Sequence, residues 1–550
     1  MTVPVEQQPR MNAQERLRQA IDQQQRRLRA GVPPDRQAAI LALLRRVDRL
    51  PHPSASELLP DLVTGRRLAD LGGNKALQCC LEATGEDATA RPPSPAGKFD
   101  DWAEGLLREC SWLAEAELVL AHTETGFMRL VDDGSGTFHT WIASKLAPTS
   151  WRERADIDWW ASSLARSHQH EVHALLAERP DPTNGNPGHD TFYDRFASVH
   201  LRMTAYQLGY PPEAAIGGCA IETYLGVLGR LIAWVLQECD RGEAPVPRSE
   251  RSLITVIASD LAVDSSVIDR AVAGFTLDRE SAAHHAAVPG VAAAPLVRVA
   301  PGQVIWSVHG LTTEPLLFLT RELKRRSAQE YHNTAYPREG VFRQDLYSLF
   351  QDRRFVTSAG RVELRRDDGD VRTDIDAVVF DRKTGTLGVF ELKTHDPFAR
   401  SIAELTRRRD NILYANRQVS GVLTWLKRHG ADELLSRVDA RTARTFQVQK
   451  VYPFVLGRYL AHFSDGAEPD RRSAWGTWPQ VMRLVDQQPL HATRANPIAS
   501  LFTRLTREIP LARPPADLPP RAIAIGATRL TVHPSYAAFQ ATAADERGLG

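Results

Sequence analysis

Asp374 and Asp376 stand two residues apart in TDIDAVVFD, residues 373–381, and Glu391 and Lys393 stand two apart in LGVFELK, residues 387–393. Both runs are apolar and β-branched enough to read as strands. Side chains two apart on a strand share a face, so each run presents its charged pair together. The segment FDRKTGTL between them reads as a tight turn, which makes the runs antiparallel neighbours and brings Asp376 close to Glu391 and Lys393. Two carboxylates on a shared face suit a hard cation, Mg²⁺ first and Mn²⁺ as its substitute. A lysine ammonium held beside them, away from bulk water, can orient or activate a water molecule. Metal, water and ammonium together suit the hydrolysis of a phosphodiester. The plainer alternative is a set of edge-strand acids neutralised by Lys393 across the hairpin, with no metal.

The run TDIDAVVFD, followed fifteen residues after Asp376 by Glu391-Leu392-Lys393, resembles the PD-(D/E)XK, restriction-endonuclease-like nuclease superfamily over roughly residues 335–460. The resemblance implies that Asp376 and Glu391 ligate the metal with help from the Leu392 carbonyl, while Lys393 handles the attacking water. It also implies an acid on the preceding helix, Glu339 or alternatively Asp345. A glutamine is implied on the following helix, and Gln418 stands at a suitable distance. No proline precedes the first acid here, so Asp374 and Asp376 compete for the role of primary ligand. Asp376 is preferred because three apolar residues follow it directly, and Asp374 then supports the ligands from behind.

These side chains need elements to position them. A helix over YPREGVFRQDLYSLFQDRRF, three strand-like runs, a long helix from about Ala399 to His429 and a strand over VQKVYPFVLGRYL suggest an α/β core with a mixed sheet. The long helix carries an apolar stripe (Leu405, Ile412, Ala415, Val419, Val422, Leu426) that would face the sheet. Arg407, Arg408, Arg409 and Arg417 are left outward as candidate phosphate contacts, although a merely solvated face would look the same. From Glu314 to Ser464 there are 27 Lys and Arg against 20 Asp and Glu, whereas the whole chain carries a net charge of only +1. Any basic surface is therefore local.

The chain has 550 residues, 43% hydrophobic and 25% charged, which suits a globular protein of several domains. The expected fold is mixed: a mainly helical region over 1–285, with a break near 88–98, joined to a restriction-endonuclease-like α/β core. HHAAVPGVAAAPLVRVAPGQ makes 286–304 the expected linker, 305–465 the nuclease-like domain, and 466–550 an extension that is Pro-rich in PLARPPADLPPRA. Five scattered cysteines without a CxxC argue against a disulfide framework or structural zinc. Residues 214–236 are long enough to span a bilayer, but Glu222 and Arg230 favour a buried helix. His168, His170 and His173 read as surface histidines, His284 and His285 likewise, and Trp159 and Trp160 as core or interface anchors. With no phosphate-binding glycine loop, an ATP motor would be a separate subunit. The expectation is a cytoplasmic, Mg²⁺-dependent DNA endonuclease, with RNase, exonuclease or non-catalytic scaffold as alternatives. By analogy it would be a bacterial antiviral defence effector. Palindromic cutting would require a homodimer.

Overall fold

A computed structural model of the protein describes residues 12–48, 62–83, 98–124, 126, 128–142, 149–179, 188–205, 208–242, 246–288, 293–365, 371–395, 402–461, 470–490, 495–508 and 520–533. It is a mixed α/β structure with three substantial cores. The site lies in the third, formed by helix α1 (Ala335–Ser348), strands β1 (Phe355–Thr357), β2 (Val362–Arg365), β3 (Val371–Ile375), β4 (Ala377–Asp381) and β5 (Thr386–Lys393), and the long helix α2 (Ile402–His429). Helix α3 (Ala431–Val438), strands β6 (Lys450–Gly457) and β7 (Ala474–Thr477), and helices α4 (Trp478–Gln487) and α5 (Pro497–Arg507) complete it.

The five-stranded sheet runs in the order β7-β6-β5-β4-β1. Strands β1, β4 and β5 are antiparallel neighbours, whereas β5, β6 and β7 are parallel. Every residue of β4 and all but the last of β5 are buried, as expected of central strands covered on both faces. On one face Ala377, Val379, Phe390 and Leu392 pack against Phe342 of α1, Trp478 of α4 and Leu501 of α5. On the other, Val378, Phe380, Leu387 and Val389 meet Val422 and Trp425 of α2 and Leu434 of α3. The apolar stripe of α2 thus faces the sheet where its side chains are described, with Ile412, Ala415 and Val419 against Val455 and Trp475.

The β4–β5 turn fixes the register. Buried Asp381 accepts from Arg354 Nε and Nη2, from the Lys383 N–H and from Thr384 Oγ1. Gly385 adopts φ +63°, and a Cβ there would lie 2.6 Å from Gln449 Cγ and 2.9 Å from the Gln447 carbonyl, so this position requires glycine. With Asp381 opposite Thr386 and Ala377 opposite Phe390, continuing the register by one position sets Asp376 against Glu391.

The structure corrects several expectations of the sequence. The segment taken as a linker contains buried strands: Leu296–Ala300 and Gln303–Trp306 belong to a four-stranded sheet with Arg248–Ser249 and Thr276–Leu277. Its small apolar residues are a core composition as much as a linker composition. The expected end of the nuclease-like unit at 465 is too early, because β7, α4 and α5 close the sheet and its cover. Further on, Arg521–Ile525 and Thr528–His533 join the hairpin Met128–Asp132/Thr137–Ile142, with Thr528–His533 parallel to Thr137–Ile142. Most of PLARPPADLPPRA lies outside the described residues. The boundary at 285 is also crossed from the other side, since Thr149–Ser167 packs on α4 and buries Trp160 in the site-bearing core. The expected hairpin at 128–142 forms, and residues 221–240 make a largely buried helix. Among the described residues no helix is long and apolar enough to cross a membrane.

A further correction concerns His285, expected at the surface but fully buried, stacked on Phe318 at 3.9 Å between ring centroids and 2.9 Å from Glu322. Burial drives its pKa down to about 4, against the upward pull of Glu322. Burial alone would raise the Glu322 carboxyl, but hydrogen bonds from His285 and Arg325 bring it down to about 2. Neutral His285 therefore donates from Nε2 to an ionised Glu322. Both pKa values are depressed on folding, so the unfolded chain binds more protons. Stability is present above pH 6.5 and is lost on acidification, through pH 6.5 to 4 for His285 and pH 4.5 to 2 for Glu322. Glu322→Ala should cost about 3 kcal/mol at neutral pH in chemical denaturation, and a cost below roughly 0.5 kcal/mol would refute a stabilising pair.

Candidate functional site

The run TDIDAVVFD is two strands rather than one. Asp376 sits at a bend between β3 and β4, and β3 leaves the main sheet to pair with β2, opposing Asp374 to Glu363. Asp374 and Asp376 therefore do not share one regular strand face. The bend is held from both sides of Asp376. Its carbonyl accepts from Arg343 Nε of α1 at 2.5 Å, and its carboxylate Oδ2 accepts from the Leu392 N–H at 2.7 Å. The side chain thus replaces a backbone acceptor that the interrupted ladder would have offered Leu392.

Around this bend the expected residues come together. Lys393 Nζ lies 2.5 Å from Glu391 Oε1 and 2.9 Å from Gln418 Oε1. Gln418 Nε2 lies 3.5 Å from Asp374 Oδ1, at the limit of a hydrogen bond, and Arg361 closes on Asp374 at 2.8 Å. The chain of contacts runs Arg361–Asp374–Gln418–Lys393–Glu391, with Asp376 beside it. Gln418 is delivered by α2, whose Val419 and Val422 anchor it to the sheet.

Asp376 is 4% exposed and Glu391 6%, with Ile375, Val389 and Val419 forming an apolar wall beside Glu391. Burial raises the Asp376 carboxyl, only partly relieved by Lys393 and the Leu392 N–H. Burial and then the charge of Asp376 push Glu391 well above the usual carboxylate range. Burial works to lower the Lys393 pKa, yet Glu391 and Asp376 together hold the ammonium above its ordinary value. Glu339 of α1 belongs to the same group: burial first and Asp376 second raise it to about 7. Asp345, the alternative helix acid, is instead bound to Arg458.

The donors are all oxygens, and burial holds three carboxyls above their ordinary range beside the Lys393 ammonium. That chemistry fits a hard divalent cation held by Asp376 and Glu391. Lys393 is seated on Glu391, and among the described residues no group of three His, Cys, Asp or Glu side chains is arranged to hold a metal ion. A cation here would therefore require Lys393 to turn from Glu391. Leu392 is buried next to both acids.

Arg407 and Arg417 are exposed on α2, whereas the side chains of Arg408 and Arg409 lie outside the described residues. His170 and His173 are exposed, in keeping with surface histidines. Sequence reasoning missed Arg343, Arg361, Tyr336 and Tyr414. Arg343 and Tyr336 had a usable signal, lying four residues after and three before Glu339 on one helix. Arg361 had none, since its partner Asp374 is reached through the β2–β3 pairing. No protein-family model, curated protein or solved structure matches the chain.

The raised Glu339 carboxyl yields a prediction about stability. Its folded pKa of about 7 exceeds the ordinary 4.5, so the unfolded chain releases the proton first and stability is lost as pH rises through 7. Glu339→Gln should therefore stabilise the protein by about 2 kcal/mol at pH 8 and by little at pH 5. Equal effects at the two pH values would show that Glu339 is not held in its neutral form.

Proposed function

We propose that the protein is a metal-dependent nuclease that hydrolyses phosphodiester bonds, with DNA as the favoured substrate and a site built from Asp376, Glu391 and Lys393. One observation carries this reading. At the bend between β3 and β4, two buried acids, a lysine, a glutamine and a helix glutamate converge on one point, at a stability cost that core packing does not require. The mixed sheet, with an antiparallel hairpin bearing the acids and parallel strands beyond it, agrees with a restriction-endonuclease-like core.

In this reading Asp376 and Glu391 would hold Mg²⁺ with help from the Leu392 carbonyl, and Arg343 keeps the bend that presents Asp376. Mg²⁺, when bound, supplies Lewis acidity toward a phosphoryl oxygen. Lys393, held by Gln418, would orient the attacking water once it turned from Glu391. Asp374 fixes Gln418 and is itself fixed by Arg361. Glu339, poised near neutrality, can accept the proton that leaves the water. Arg407 and Arg417, with Arg408 and Arg409 as further candidates, meet backbone phosphates.

The Lys393–Glu391 ion pair favours a second reading, a non-catalytic scaffold in which the ammonium permanently replaces the cation. One set of measurements separates the two. Supercoiled plasmid, linear DNA and RNA are incubated with the protein in Mg²⁺ or EDTA. Cutting should require Mg²⁺ and fall at least about 100-fold in Lys393→Ala. Mg²⁺ should also raise the thermal midpoint of the wild type and not that of Glu391→Gln. No cutting together with no Mg²⁺-induced shift would establish the scaffold.

A further inference from the structure

We propose that Tyr336 and Tyr414 are stacking platforms for unpaired bases, so that the site takes single-stranded nucleic acid; the link to cleavage rests on the function proposed above. Among the described residues the large apolar or aromatic side chains left exposed are Val131, Leu176, Val246, Val256, Tyr336 and Tyr414. The two aromatic ones, 54% and 50% exposed, both stand at the acid cluster. The Tyr336 ring centroid is 5.5 Å from the guanidinium of Arg361, which binds Asp374. The Tyr414 ring centroid is 5.6 Å from Lys393 Nζ itself.

Their positions on the helices reinforce the point. Tyr336 precedes Glu339 by three residues on α1, and Tyr414 precedes Gln418 by four on α2, so each ring lies one turn before a side chain of the cluster. Along α2 the spacing extends further. Arg407, Asn411 and Tyr414 are exposed and share a face that ends at buried Gln418. A cation, an amide and an aromatic ring thus lie in sequence along one track into the site. Arg417 adds a guanidinium 5.3 Å from the Tyr414 ring.

An exposed tyrosine forfeits the burial that usually holds an aromatic ring in a protein. A ring beside a guanidinium, next to a phosphate-reactive centre, matches what unpaired strands require: a flat apolar face for the base and a cation for the backbone. Duplex DNA keeps its base faces stacked internally and offers such rings nothing. Bases of DNA and RNA share this chemistry, so the platforms alone do not choose between the sugars.

The test measures binding apart from cleavage. Fluorescein-labelled oligo-dT, oligo-U and a duplex of equal length are titrated with the full-length chain in EDTA, and anisotropy is read. Strands should bind more tightly than duplex. Tyr336→Ala and Tyr414→Ala should each weaken strand binding by about 5- to 150-fold, with Phe at either position retaining it, since stacking needs the ring and not the hydroxyl. Both residues are exposed, so thermal midpoints should stay at the wild-type value. Alanine variants that bind like wild type, phenylalanine variants as weak as alanine, or duplex bound as tightly as strand would each overturn the proposal. Cleavage of the same oligonucleotides in Mg²⁺ runs in parallel. Platforms that fail beside Mg²⁺-dependent cutting leave the nuclease standing, and platforms that hold with nothing cut leave a strand-binding protein.

Discussion

A carboxylate moved out of water loses several kcal/mol of solvation unless charge or hydrogen bonds replace it. Asp376 and Glu391 lie buried side by side, and the replacement for water includes the Lys393 ammonium, the Leu392 N–H and the nearby charge of Arg343. Much of the α/β unit is arranged around that balance. The Gly385 turn sets the register that opposes the acids, α2 brings the glutamine that holds the lysine, and α1 brings the arginine that holds the bend. A third carboxyl, Glu339, joins the cluster, and burial first and the charge of Asp376 second raise it.

The parts of this arrangement that were legible in the sequence are the ones decided locally. Two apolar runs around Lys-Thr-Gly specify a hairpin, and the period-two alternation places Glu391 and Lys393 on a common face. The long helix showed itself through its apolar stripe, and Gln418 on it was pointed to only by the family resemblance, which implies a glutamine on the helix after the lysine. What stayed hidden is decided by residues far apart in the chain. The bend at Asp376 depends on Arg343, more than thirty positions earlier, and on the Leu392 N–H. Without either, TDIDAVVFD reads as one uninterrupted strand.

The larger misreadings have the same origin. AAAPLVRVA has the small, apolar, proline-interrupted composition of a linker, yet Leu296 and Val297 are fully buried because Thr276–Leu277 and Gln303–Trp306 flank them. His285 looked solvated because a histidine carries no sign of its partner, and Glu322 arrives from a different helix. The residues after 465 read as an appendage since each element there is short, and much of their burial comes from packing on elements far back in the chain.

The parallel pairing of Thr528–His533 with Thr137–Ile142 has a consequence for the order of events on the ribosome. His139 and His533 meet at 3.0 Å across a separation of 394 residues. At ordinary elongation rates of about 5–20 residues per second, the first hairpin emerges roughly 20–80 s before the strand that completes its sheet. Throughout that interval the edge of Thr137–Ile142 is open, while the segment bearing the acids is translated in full. The region around the first hairpin can close only behind it, as the last described strand arrives. The nascent chain therefore has its acid cluster in hand before this four-stranded sheet is shut, and a nascent chain stalled before residue 533 would carry that cluster beside an unfinished edge.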